Sequence, residues 1–242
     1  MKRKDFLRGF VHGIPIMLGY LAVSFSFGIF TVGSGLSVAE ATLISLTNLT
    51  SAGQLAGVPI IAAGGSLIEL ALTQLVINMR YALMSVSLSQ KLDRGVTRAE
   101  RFLIAFGNTD EIFAVSTAQP HTLTSAYMYG LITSPVIGWT SGTLIGAIAG
   151  NILPPAVISA LGVAIYGMLI AVVVPAMRER KATALCVALS VTLSCLFYYL
   201  PPLQIVPDGF VIIICAVVAS ALFAWLAPLP PAQEETEGGD AP

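Results

Sequence analysis

Two adjacent carboxylates, Asp110 and Glu111, a single arginine, Arg80, and a run of hydrogen-bonding side chains from Thr47 to Gln54 all fall inside otherwise apolar stretches of this sequence. A carboxylate can hold an ammonium group or a proton, a guanidinium can hold a carboxylate, and amides and hydroxyls can orient either. An arginine at the centre of a membrane span costs roughly 2.5 to 3.5 kcal/mol on insertion scales, so Arg80 must face protein or water. Glu69, eleven residues away, lies about 16 Å along a helix axis and is out of reach, which leaves Asp110 or Glu111 as the partner to expect. The plainer alternative is that Arg80 snorkels to the nearer membrane surface or closes a structural ion pair. Asp110 and Glu111 are sequence neighbours and cannot point the same way, so one is expected to be structural and the other to touch water.

The elements that must position these groups follow from composition. The chain has 242 residues, 56% hydrophobic and only 10% charged, against roughly 25% charged residues in an ordinary soluble domain. A mean hydropathy of +0.85 and recurring apolar stretches indicate an all-α polytopic membrane protein. Net charge is -1, which gives nucleic acid nothing to bind. Apolar spans run from Phe10 to Val32, Ser66 to Gln90, Ala126 to Ala149, Ala156 to Met177, Ala182 to Leu200 and Gly209 to Ala227. The first follows a basic N-terminus but is too long for a signal-peptide core and is read as a retained span. Residues 1–227 form one transmembrane domain, and the Pro-rich, acidic residues 228–242 read as a disordered tail.

The cations set the topology. Lys2, Arg3, Lys4 and Arg8, then Lys91, Arg94, Arg98 and Arg101, then Arg178, Arg180 and Lys181 make eleven of the twelve Lys and Arg residues. If all three clusters are cytoplasmic, an even number of crossings separates them. Two weaker segments, Val38 to Ala63 and Arg98 to His121, then cannot cross; each enters from one side and turns back. The alternative lets both cross, giving eight spans with Lys91 to Arg101 outside. A repeat supports the first reading. Gly35 to Asn48 aligns without gaps with Gly95 to Asn108, and both copies carry a capping box, Ser37 with Glu40 and Thr97 with Glu100. A span followed by a re-entrant helix thus occurs twice in opposite orientations, the inverted repeat of many secondary transporters.

Both weak segments turn polar where they reach the membrane interior, at Thr47-Asn48-Leu-Thr50-Ser51-Ala-Gly53-Gln54 and at Gly107-Asn108-Thr109-Asp110-Glu111. Non-helical backbone is tolerated there only against protein or water. On the Ser66 span, Ser66, Glu69, Thr73, Arg80 and Ser87 share one helical stripe and Gln74, Asn78 and Ser85 nearly the opposite one, so the span is expected between other elements rather than against lipid. Gly138, Gly142, Gly146 and Gly150 read as a packing ladder, internal or toward a partner. His12 and His121 read as interfacial and loop residues, and Cys186, Cys195 and Cys215 as small core hydrophobes.

Taken in order and spacing, Ser51-Ala-Gly-Gln54, Asn78-Met-Arg80-Tyr81, Thr109-Asp-Glu111 and the Gly138 to Gly146 stretch resemble the AzlC/YgaZ family, the large subunit of branched-chain amino acid exporters. The resemblance spans about Gly9 to Ala227. It implies export of leucine, isoleucine and valine, with methionine a further candidate, across a prokaryotic cytoplasmic membrane, together with a small AzlD-like membrane subunit; the cation clusters place both termini on the cytoplasmic side. No cofactor is implied. Asn48, Ser51, Gln54, Asn78, Arg80, Asn108 and Thr109 become candidate substrate contacts, and Asp110 and Glu111 candidate ion- or proton-coupling groups. One departure is Gly162-Val-Ala164, where the family suggests an acidic residue. A passive channel or a membrane scaffold is the competing reading. An intramembrane enzyme finds no support in the sequence, which has neither a His-Glu-x-x-His nor a Gly-x-Ser-x-Gly motif.

Overall fold

The computed structural model describes residues 2–150, 152–154, 156, 157, 167, 170 and 173–227. Its helices are α1 (Lys2–Gly33), α2 (Val38–Thr47), α3 (Ala52–Ala62), α4 (Leu67–Lys91), α5 (Arg98–Phe106), α6 (Asp110–Thr117), α7 (Ser125–Gly150), α8 (Lys181–Tyr199) and α9 (Asp208–Leu226), with a short 3-10 turn at Pro201–Leu203. Among the described residues there is no strand, only an isolated parallel bridge between Leu92 and Leu123. Five helices, α1, α4, α7, α8 and α9, are long and apolar enough to cross a membrane. The protein is an all-α polytopic membrane protein. Most of the expected span from Ala156 to Met177, the Gly162-Val-Ala164 departure and the 228–242 tail lie outside the described residues.

Helices α1 and α7 form the spine. Their neighbours advance together, Gly9 against Tyr127, Met17 against Gly138, Leu21 against Gly142 and Phe25 against Gly146, so the two run parallel. The glycines permit this closeness. A Cβ on Gly146 would stand 1.9 Å from the Phe25 carbonyl oxygen and one on Gly138 2.4 Å from that of Met17, so any side chain would push the helices apart. The ladder is therefore an internal seam.

That seam fixes the parity of everything between the two helices. The end of α4 lies beside the start of α7, where the Asp93 amide donates to the Leu123 carbonyl at 2.9 Å and the Leu123 amide to the Lys91 carbonyl at 3.0 Å. Arg8 Nη2 donates to Gln119 Oε1 at 2.9 Å, and Lys91 Nζ donates to the Thr117 carbonyl. Arg8, Lys91, the start of α5 and the end of α6 thus share one end of the molecule, the basic end. The α2–α3 pair leaves from and returns to the opposite end. Neither weak segment crosses, and the eight-span alternative, which would separate Arg8 from Lys91, is excluded.

Each weak segment is two short helices. Ser37 caps α2 and Thr97 caps α5, both with the full reciprocal box to Glu40 and Glu100. The amide of Ser37 and that of Thr97 each hold the partner carboxylate, and they push Glu40 and Glu100 below the usual carboxylate range. Helix α4 lies between other elements on two of its faces. Its Glu69 stripe packs on α9, where Glu69 Oε1 accepts from the Gly209 amide at 3.0 Å, and its Gln74 stripe packs on α3. A third stripe, Ile68, Leu72, Leu75, Met79, Leu83 and Val86, is apolar and exposed. Two polar faces leave room for a third, because a helix between two neighbours still has an outer side.

Candidate functional site

The two breaks meet at mid-height against α1, α4 and α7, around a cavity of about 430 Å³. Ser51 and Leu49 reach it from the first break, Asp110 and Glu111 from the second, Tyr81 from α4, and Trp139 from α7. Helix α1 supplies Pro15, Ile16, Gly19, Tyr20 and Val23. One wall is thus acidic and the rest aromatic, aliphatic or hydroxyl-bearing. A cavity of this size falls within the usual range for small-ligand sites.

At the first break the polar side chains close on one another. Asn48 ends α2, its amide donating to the Ile44 carbonyl at 2.9 Å. Thr50 Oγ1 donates to Asn48 Oδ1 at 2.6 Å, and Gln74 Nε2 crosses from α4 to the Gly53 carbonyl at 2.7 Å. Asn78 Nδ2 donates to Gln74 Oε1 at 3.0 Å. A Cβ on Gly53 would stand 2.4 Å from Thr50 Oγ1 and 2.7 Å from Gln74 Oε1, so this cluster needs a glycine there. Gln54 does not line the cavity. It is 1% exposed, donates to Ser45 Oγ at 3.1 Å and accepts from Trp139 Nε1 at 2.9 Å, while Ser45 Oγ and Thr143 Oγ1 share a hydrogen bond of 2.7 Å. Its amide is spent on fixing α3 to α2 and α7. Ser51 is the backbone exception. Its φ of 45° and ψ of -78° are strained for a non-glycine residue, and its side chain caps nothing, although it stands at the start of α3.

At the second break the charges gather. Thr109 caps α6, accepting from the Ile112 amide at 3.5 Å. The Tyr20 hydroxyl of α1 is 2.7 Å from Thr109 Oγ1 and donates to Glu111 Oε2. Arg80 Nη2 is 2.8 Å from Asp110 Oδ2, and the same guanidinium lies over the Tyr81 ring, 4.9 Å from its centroid, with its hydroxyl 3.2 Å away. Arg80 is therefore the counter-ion of Asp110 and is absent from the cavity lining. Asn108 is 3% exposed and gives Nδ2 to Ser85 Oγ at 3.3 Å. The Oδ1 atoms of Asn108 and Asn78 are buried without a hydrogen-bond partner.

Of the candidate residues, then, Ser51, Asp110 and Glu111 border the cavity. Asn48, Asn78, Asn108, Thr109 and Arg80 hold its frame, and Gln54 stands apart. Tyr20 and Trp139 were not among the candidates. Tyr20 is a lone hydroxyl in an apolar span, and Trp139 lies within the glycine ladder, so packing is the ordinary reading of each. Their rings meet edge to face with centroids 5.2 Å apart. His12 Nδ1 lies 2.9 Å from the Tyr127 hydroxyl, away from the cavity. No group of three or more metal-ligating side chains occurs among the described residues.

Two broken helices entering an all-α membrane body from opposite ends, around a cavity with an acidic wall, define a transporter-like membrane protein. The chain belongs to the AzlC family, described as AzlC protein, whose signature matches residues 15–153. It is 30% identical over 191 residues to the inner membrane protein YgaZ of Escherichia coli K12, covering 76% of this chain and 78% of that one. It is 31% identical over 185 residues to an uncharacterized membrane protein of Archaeoglobus fulgidus, covering 76% and 81%. No solved structure matches.

Proposed function

We propose that this protein is a secondary transporter that exports branched-chain amino acids, leucine, isoleucine and valine with methionine a further substrate, from a prokaryotic cell. The carrying observation is the cavity between the breaks, lined by the carboxylates of Asp110 and Glu111 together with Ile16, Val23, Tyr20 and Trp139. An aliphatic side chain is accepted by such walls. Asp110 shares one oxygen with Arg80 and offers the other to the substrate ammonium. The Ser51 hydroxyl, unspent as a cap, is suited to the carboxylate. Both termini are cytoplasmic in this reading, since the basic end carries Lys2 to Arg8 and Lys91 to Arg101. YgaZ is named as an inner membrane protein, which supports a cytoplasmic membrane location. A small AzlD-like membrane subunit completes the transporter, and the exposed apolar stripe on α4 lies open to lipid or to that subunit.

Counterflow in proteoliposomes tests the reading. Trapped unlabelled leucine, isoleucine or valine should accelerate entry of the labelled amino acid at least tenfold over empty vesicles, with the partner subunit present. A passive channel would show no acceleration, and a scaffold no flux. In cells, Asp110→Asn should abolish isoleucine resistance while the protein still inserts; retained resistance would remove Asp110 from the substrate site.

A further inference from the structure

The two neighbouring carboxylates are held by different chemistry, and the difference separates their work. Asp110 faces a guanidinium at 2.8 Å, and Arg80 keeps its charge at any physiological pH. A proton added to Asp110 would leave that cation without its partner. Glu111 faces no cation at hydrogen-bond distance. Its partner is the neutral Tyr20 hydroxyl, which also touches Thr109 Oγ1. Among the described residues, the titratable groups around Glu111 are Tyr20 from α1, Tyr81 from α4 and Asp110 on its own helix, with Arg80 beside the last two. Trp139 is what α7 brings to the same cavity. Losing the Glu111 charge leaves Arg80 and Asp110 matched, whereas losing the Asp110 charge leaves Arg80 without its partner.

We infer that Glu111 is the group that carries the coupling proton, that Asp110 serves as the fixed counter-ion of Arg80, and that the Tyr20 hydroxyl reports the change to the rest of the molecule. This rests on the transport reading above and names its coupling site. The proton comes from water in the cavity and adds to the Glu111 carboxylate. The carboxylic acid is a poorer acceptor, so the Tyr20 hydroxyl gives up Glu111 and is held by Thr109 Oγ1 alone, which shifts the ring against the start of α6. Tyr20 also packs on Trp139, which donates to Gln54 of α3. A shift of the Tyr20 ring is thereby felt at both breaks. Alternating access requires that kind of connection, because the two re-entrant pairs must change together.

Two measurements test this, one of them independent of transport. Infrared titration of the purified protein in lipid should show a carboxylic acid carbonyl band that grows as pH falls. The band should vanish in Glu111→Gln and persist in Asp110→Asn. In Tyr20→Phe its midpoint should move to higher pH, by about half to one unit, because the charged carboxylate loses a donor. Loss of the band in Asp110→Asn but not in Glu111→Gln would overturn the assignment. In proteoliposomes that show counterflow, an imposed pH gradient should accelerate export by the wild type, and the ratio of rates with and without the gradient should fall to one in Glu111→Gln. An unchanged ratio there, or no effect of the gradient on a wild type that does show counterflow, would overturn proton coupling at Glu111. A wild type without amino-acid counterflow would instead overturn the transport reading, leaving the infrared result to judge Glu111 alone.

Discussion

The two breaks begin alike and end differently. Each follows a helix opened by a reciprocal capping box and each places an asparagine at or just beyond that helix's C-terminal cap, Asn48 in the first and Asn108 after Gly107 in the second. Beyond the asparagine the first break is neutral and closes on itself through Thr50, Gln74 and Asn78, with only Ser51 and Leu49 lining the cavity. The second brings Asp110, Glu111 and the counter-ion Arg80. The same local device has therefore been put to two uses. One break is built to hold its shape, and the other to hold charge. A charged group needs room to change its partners, whereas a closed amide network loses stability when any member leaves.

Removing Arg80 should break this contrast most severely. Arg80→Gln leaves Asp110 beside Glu111 with no counter-charge, so export should fall at least tenfold. The folded protein should lose about 1 to 3 kcal/mol, between the values typical of exposed and buried ion pairs. Thermal unfolding in detergent should find the double variant Arg80→Gln/Asp110→Asn more stable than either single one, yet still inactive. Hydrogen exchange should rise in α6 and remain unchanged in α3; equal loosening of both would mean that the breaks are one unit.

A smaller effect, on stability instead of transport, is expected at the first break. Gln54→Leu keeps the volume but strands the Trp139 indole N–H and removes the donor to Ser45, a loss of about 1 to 3 kcal/mol for groups buried without a partner. The substrate KM should stay within about twofold of wild type, because the Gln54 amide is walled off from the cavity. A KM raised tenfold with stability intact would return Gln54 to the binding site.

The sequence carried a good deal of this in its charges and spacing. The sixty-residue offset between Ser37 with Glu40 and Thr97 with Glu100 marks both re-entrant pairs, because capping is local chemistry that needs no tertiary contact. The eleven loop cations place Arg8 and Lys91 at one end for a similarly simple reason. The ion pair of Arg80 could be anticipated from the cost of an unpaired cation. Which of Asp110 and Glu111 would meet it could not, since that depends on how the first turn of α6 faces α4. Tyr20 was hidden for a different reason. Its partners, Thr109, Glu111 and Trp139, are brought to it by the parallel seam of α1 and α7, and no spacing along the chain announces that a tyrosine 89 residues before Thr109 will touch it. The exposed apolar stripe of α4 was obscured because its two polar faces drew the attention that the third, apolar one needed.

The mildest perturbation examines the feature the two halves share. Ser37→Ala and Thr97→Ala each remove the hydroxyl that accepts the third helical amide, Glu40 N at 3.2 Å and Glu100 N at 3.3 Å, and that donates to the facing carboxylate at 2.7 and 2.8 Å. Loss of such a cap costs about 1 kcal/mol, and the near-identical geometry makes the two losses equal within error by thermal unfolding at neutral pH. Acid should weaken the effect in both. The backbone amide of the capping residue and its hydroxyl hold Glu40 and Glu100 below their ordinary value of 4.5. A carboxylate whose folded value is depressed contributes its stability above the unfolded value and loses it as pH falls through the folded one. The gap between each variant and wild type should thus be constant above about pH 4.5 and narrow below it, in parallel for the two sites. If Thr97→Ala alone kept its full effect in acid, the boxes would differ in chemistry as well as in surroundings, and the contrast between the breaks would begin a turn earlier than Asn48 and Asn108.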